Sequence, residues 1–170
     1  MTNPLILFLG NRILADDRIG LNIGEMLKGT LEAEGRDVEI IEESGFSLID
    51  YLEGRENVTI VDSVRTGLHE VGEVVILGHD DFQRLSPFAS HYGGIPEALA
   101  LMRQLDLQVP STLRLIGIEV EEPYVVSTKM CDKLEMEVTR IADEIHTAVS
   151  GQSAASSRYS PDRNFGVSPG

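Results

Sequence analysis

The chain has 170 residues, 42% of them hydrophobic, which is enough for one domain with a real core. Its formal net charge of −14 repels nucleic acids, polyphosphates and anionic membranes, so those partners are not expected. The single cysteine, Cys131, rules out an internal disulfide and a CxxC-type metal site.

No apolar run approaches the roughly 20 residues that span a bilayer, and the start, "MTNPLILFLG", has no basic region ahead of its short apolar run. A cytoplasmic protein is the expectation. Residues 5–9, "LILFL", read as a buried strand. The loop "GNRILADD" follows. Then Ile19, Ile23, Leu27 and Leu31 fall at four-residue spacing, one face of a helix. Gly20 and Gly24 lie one step round and suit close packing on a sheet. "RDVEIIEE" is a second strand, "SLIDYLEG" a short helix ended by Gly54, and "NVTIVDS" a third strand that stops at Asp62.

"EVGEVVILG" begins only about eight residues later, too soon for a parallel crossover, so it should run antiparallel to its predecessor or lie at an edge. A long loop, "HDDFQRLSPFAS", leads to the helix "IPEALALMRQL", with Pro96 in its first turn and Ile95, Leu99, Met102 and Leu105 facing inward. "STLRLIGIEV" is the fifth strand. A last helix covers about 131–149, with Leu134, Val138, Ile141 and Ile145 as its stripe and Ser127 or Thr128 as its cap. Residues 151–170 are small and polar without a period and are expected to be disordered. They hold Arg158, Asp162 and Arg163, so the acidity belongs to the single domain, residues 1–150.

Strands alternating with helices make the class α/β. The expected architecture is a three-layer α/β/α domain: an about five-stranded, mostly parallel twisted sheet, one antiparallel strand, and helices on both faces. In such sheets, sites form at the carboxyl ends of the strands. That rule gathers Asp16 and Asp17 after the first strand, Asp62 at the end of the third, Glu119, Glu121 and Glu122 after the fifth, and Ser90 and His91 if the long loop returns.

The chemistry open to these residues is narrow. The turn after the first strand has Gly10 and then two acids, which would repel a phosphate, so a nucleotide loop is rejected. A phosphoacceptor domain fits poorly, because six residues separate the strand from the acid pair and the last strand ends in glutamates rather than a lysine. There is no GxSxG, and Cys131 reads as a small packing residue. Two carboxylates and an imidazole suit a divalent first-row ion with open positions. Each has a structural reading too. Asp16 in particular is expected to cap a helix, at about 1 kcal/mol or less on loss of its charge. His69, His79 and His146 lack the placement; His146, near the end of the last helix, suits the dipole as a cation.

Four motifs, "LFLGNRILADDRIG", "TIVDSVRTGLHEVGEVVIL", "SHYGGIPEALALM" and "LIGIEVEEP", together resemble the hydrogenase maturation endopeptidases, from about residue 5 to 149. The resemblance implies an endopeptidase that removes the C-terminal extension of a nickel–iron hydrogenase large-subunit precursor after nickel insertion. It implies Asp17, Asp62 and His91 as the metal-gripping and catalytic set, nickel supplied by the precursor, no organic cofactor, and a monomer. The metal would polarise the scissile carbonyl or activate a water, or serve as a recognition handle beside a carboxylate base. A non-catalytic metal-binding chaperone on the same fold is the alternative. Three positions depart from the family pattern: Arg18 where a small residue usually follows the acids, Tyr92 after the histidine, and Glu43–Phe46 in place of Asp-Gly-Gly-Thr.

Overall fold

The computed structural model describes residues 2–77 and 94–151. In chain order the elements are β1 (Leu5–Leu9), a 3-10 turn (Asp16–Arg18), α1 (Ile19–Ala33), β2 (Asp37–Ile41), a second 3-10 turn (Gly45–Leu48), α2 (Ile49–Leu52), β3 (Asn57–Val64), β4 (Val74–Leu77), α3 (Ile95–Gln104), β5 (Thr112–Glu119) and α4 (Asp132–Ser150). The five strands form one sheet in the order β2-β1-β3-β5-β4. The β1–β2, β1–β3 and β3–β5 pairs are parallel, and β4 runs antiparallel to β5 at the edge. The short β3–β4 connection forces that direction, and β4 satisfies it beside β5 rather than beside β3.

Every side chain of β1 is buried, as a strand covered on both faces requires. Leu5, Leu7 and Leu9 alternate onto one face, where Leu48 and Leu52 of the α2 region and Ile95, Leu99 and Met102 of α3 cover them. Ile6 and Phe8 point to the other face, under Ile19, Ile23 and Leu31 of α1 and Leu134, Ile141 and Ile145 of α4. Each such fully buried aliphatic side chain contributes about 1.5–3 kcal/mol. This is the expected three-layer architecture.

Two glycines set how closely α1 lies on the sheet. A Cβ at Gly20 would stand 2.0 Å from the Leu9 carbonyl oxygen, and one at Gly24 would stand 2.7 Å from Cγ of Phe8. The spacing expected from sequence is therefore a contact at backbone distance.

Three local expectations are corrected. β3 continues past Asp62 to Val64, so Asp62 lies inside the strand's carboxyl end, paired with Gly117 of β5. Leu105 is 58% exposed, because α3 ends at Gln104 and Leu105 is already its C-cap. Neither Ser127 nor Thr128 caps the last helix. Cys131 occupies that position, and the Ser127 hydroxyl oxygen accepts the nearby Lys129 N–H instead. Residues 152–170 lie outside the described residues, and so do His79, Ser90, His91 and Tyr92. Among the described residues, no helix is long and apolar enough to cross a membrane.

Candidate active site

The carboxyl edge of the sheet is built from the loops that leave β1, β3 and β5. Gly10 directly follows the first of these strands. A Cβ there would lie 2.5 Å from the Asp17 carbonyl oxygen, so the glycine lets the acidic turn fold back onto the sheet. Asp16 and Asp17 are both fully buried in that turn. They do different work.

Asp16 does not cap its own helix. Its Oδ1 accepts the Cys131 N–H at 2.7 Å, and its Oδ2 accepts the N–H groups of Glu122 at 2.9 Å and Glu121 at 3.3 Å. One carboxylate thus satisfies the donor at the start of α4, where a negative charge also suits the helix dipole, together with two donors of the loop after β5. Backbone bonds extend the junction. Ala15 N–H donates to Val125 C=O at 2.7 Å, Ser127 N–H donates to Ile13 C=O at 3.1 Å, and Leu14 and Val126 form an antiparallel bridge. Arg18, one of the departures from the family pattern, donates from its guanidinium to the Thr128 carbonyl. The 121–131 loop is strapped to the 13–18 turn by both acid and base.

Asp17 faces β3. Its Oδ1 accepts the Ser63 hydroxyl at 2.6 Å, and the Ser63 N–H donates to Asp62 Oδ1 at 2.7 Å. Asp17, Asp62 and Ser63 are all fully buried. The structure therefore joins Asp17 and Asp62, two of the three site residues proposed from sequence, through a residue that sequence reading passed over. Ser63 carried a signal: a polar residue beside Asp62 in an otherwise apolar strand. His91, the third, lies outside the described residues. Among the described residues no group of three or more His, Cys, Asp or Glu side chains is arranged to hold a metal ion; Asp17 and Asp62 offer two carboxylate donors.

Glu119, at the end of β5, is also buried and organises the loop after β3. Its carboxylate accepts the N–H groups of Thr66 and Gly67, each at 2.8 Å, and the Thr66 hydroxyl at 2.6 Å. It is held by that loop rather than placed with Asp17. Glu121 and Glu122 point outward. His69 lies beside Glu73 Oε1 at 3.1 Å and His146 beside Glu34 Oε1 at 2.7 Å, each in a surface pair. The His146 contact holds the Glu34 carboxyl below its usual range.

The rim of this edge exposes apolar side chains alongside Glu121 and Glu122. Of the nine large hydrophobic residues exposed among the described residues, Ile13, Phe46, Leu68, Tyr124, Val125 and Val126 sit on loops leaving the carboxyl ends of strands. Ile13 is 63% exposed and Val126 77%. The loop after β2 also meets the start of α3: at Gly94, with φ +106°, a Cβ would stand 2.6 Å from the Gly45 Cα.

Known proteins share this fold. HybD of Escherichia coli, a hydrogenase maturating endopeptidase, superposes with a TM-score of 0.70 at 22% identity, over 87% of this chain and 92% of that one. At that identity the likeness is one of fold. HybD of Thermococcus kodakarensis, a NiFe hydrogenase maturation protease, gives 0.68 at 26% identity, over 86% of this chain and 99% of that one. Protein FrxA of Pyrococcus furiosus is 33% identical over 115 residues, 65% of this chain and 79% of that protein. The HycI hydrogenase maturation protease model matches residues 21–148, a span that contains Asp62 and His91 and begins just after the Asp16–Asp17 turn. By that match the chain belongs to the hydrogenase maturation protease family.

Proposed function

We propose that this chain is an endopeptidase that removes the C-terminal extension of a nickel–iron hydrogenase large-subunit precursor, and that it reads the nickel already mounted there. The observation that carries the reading is the buried pair Asp17 and Asp62, held together through Ser63 at the carboxyl edge of the sheet, in a chain of this family. The apolar side chains exposed on these loops support a protein substrate over a small polar one.

In this reading Asp17, Asp62 and His91 are the donors offered to the precursor's metal. Two carboxylates and an imidazole are borderline-to-hard ligands, and thiolates of the client would complete the set and add discrimination. Nickel, when present in the client, would polarise the scissile carbonyl or lower the pKa of a bound water. A carboxylate of the pair would serve as the general base that accepts a proton from the attacking water.

The test is incubation of the purified protein with nickel-loaded and nickel-free precursor. A shortened large subunit from the loaded precursor alone is the expected result. Binding without cleavage would favour the chaperone alternative. Cleavage of metal-free precursor by enzyme that retains zinc through dialysis would make it an ordinary metalloprotease.

A further inference from the structure

Ser63 bonds to both carboxylates of the proposed site, and it uses a different group for each. Its backbone N–H donates to Asp62 Oδ1 at 2.7 Å, and its hydroxyl donates to Asp17 Oδ1 at 2.6 Å. A hydroxyl has one proton to give. Here that proton is committed to Asp17. The two acids belong to different elements: Asp62 to β3, and Asp17 to the 3-10 turn before α1. β3 is the central strand, paired with β1 and β5 on either side, so Ser63 is a rigid anchor. The turn lies outside the sheet, so the Ser63 hydroxyl ties the Asp17 carboxylate directly to the central strand.

We infer that Ser63 is a positioning residue. It locks the plane of the Asp17 carboxylate relative to Asp62, so that both acids meet the client's metal as one preformed donor pair. The inference deepens the function proposed above and rests on it. Its physical basis is general: partners that orient a metal-binding group typically cost 10–100-fold in metal affinity or activity when removed.

The experiment uses the full chain as wild type, Ser63→Ala and Ser63→Thr. It measures binding to nickel-loaded and to nickel-free precursor separately, alongside kcat and KM for cleavage. In Ser63→Ala, affinity for loaded precursor should fall about 10–100-fold, while affinity for nickel-free precursor stays at the wild-type value. Ser63→Thr, which keeps the hydroxyl, should restore most of the preference. A general structural defect would weaken both affinities together, and that outcome would overturn the assignment. So would a wild-type preference in Ser63→Ala. If Ser63→Ala fails to fold, Ser63→Cys, a weak donor of similar size, carries the same comparison against Ser63→Thr. Wild-type enzyme that shows neither cleavage nor any preference for loaded precursor would sink the function itself and Ser63's role with it. Wild-type preference that survives loss of the hydroxyl sinks only the latter.

Discussion

Asp16 and Cys131 are 115 residues apart in the chain and 2.7 Å apart in the fold, carboxylate oxygen to backbone nitrogen. The bond makes Asp16 a remote cap for α4, shared with the N–H groups of Glu121 and Glu122. Hydrogen bonds to a charged group contribute about 1.5–3 kcal/mol each, and they are not additive. Asp16→Ala should therefore cost about 3 kcal/mol or more, and Asp16→Asn about 2 kcal/mol, well above the 1 kcal/mol expected of a simple surface cap. Urea denaturation of both variants measures this. A loss under 1 kcal/mol for Asp16→Ala would show that water replaces the carboxylate cheaply.

Asp17→Ala, Asp62→Ala and His91→Ala should each abolish precursor processing while leaving the far-ultraviolet circular dichroism of the wild type. Processing gels and spectra on the same preparations test this. Loss of folded signal in all three would assign them to structure rather than chemistry.

Gly20→Ala should be among the most damaging single-methyl additions in the chain. The new Cβ would meet a backbone oxygen at 2.0 Å, and a strand carbonyl cannot swing aside as a side chain could. Overpacking of this kind costs typically 1–3 kcal/mol, and this site belongs at the upper end. Gly29→Ala, whose Cβ meets nothing within 4 Å, is the control and should be neutral or slightly stabilising. A thermal melt in which the two variants behave alike would contradict the close-packing account.

Burial, with a smaller contribution from the Asp16 charge, pushes the Cys131 thiol above its ordinary pKa. A raised value means less thiolate at any given pH, so alkylation at pH 8 should be several-fold slower in the native protein than in urea. The native rate should still be climbing at pH values where that of the unfolded chain has levelled off. Equal rates at pH 8 would mean the thiol is freely accessible.

Much of this edge was legible from the sequence because strand alternation and helical spacing are local. Ile19, Ile23 and Leu31 are buried where the four-residue period puts them, Asp62 lies in the carboxyl end of β3, and Asp17 lies in the turn that follows β1. What escaped depends on the tertiary fold. Nothing within a few residues of Asp16 announces that its partners lie past residue 120. Ser127 and Thr128 looked like caps because capping propensity is read locally, whereas the donor at the start of α4 goes to a distant acid. Leu105 fits the apolar stripe of α3 but falls one residue past its end. Ser63 was overlooked because one hydroxyl in a strand looks like tolerance until its proton is traced to Asp17.

The strap between residues 13–18 and 121–131 also sets an order of assembly. On a ribosome that adds about 5–20 residues per second, Asp16 emerges on the order of ten seconds before the backbone groups that will bind it. Until Cys131 has been made, the acidic turn has neither its remote donors nor the loop that Arg18 holds. This edge of the sheet can thus close only after residue 131 has been made. A nascent or prematurely terminated copy lacks the clasp that holds the acidic turn, so this corner of the fold is finished late.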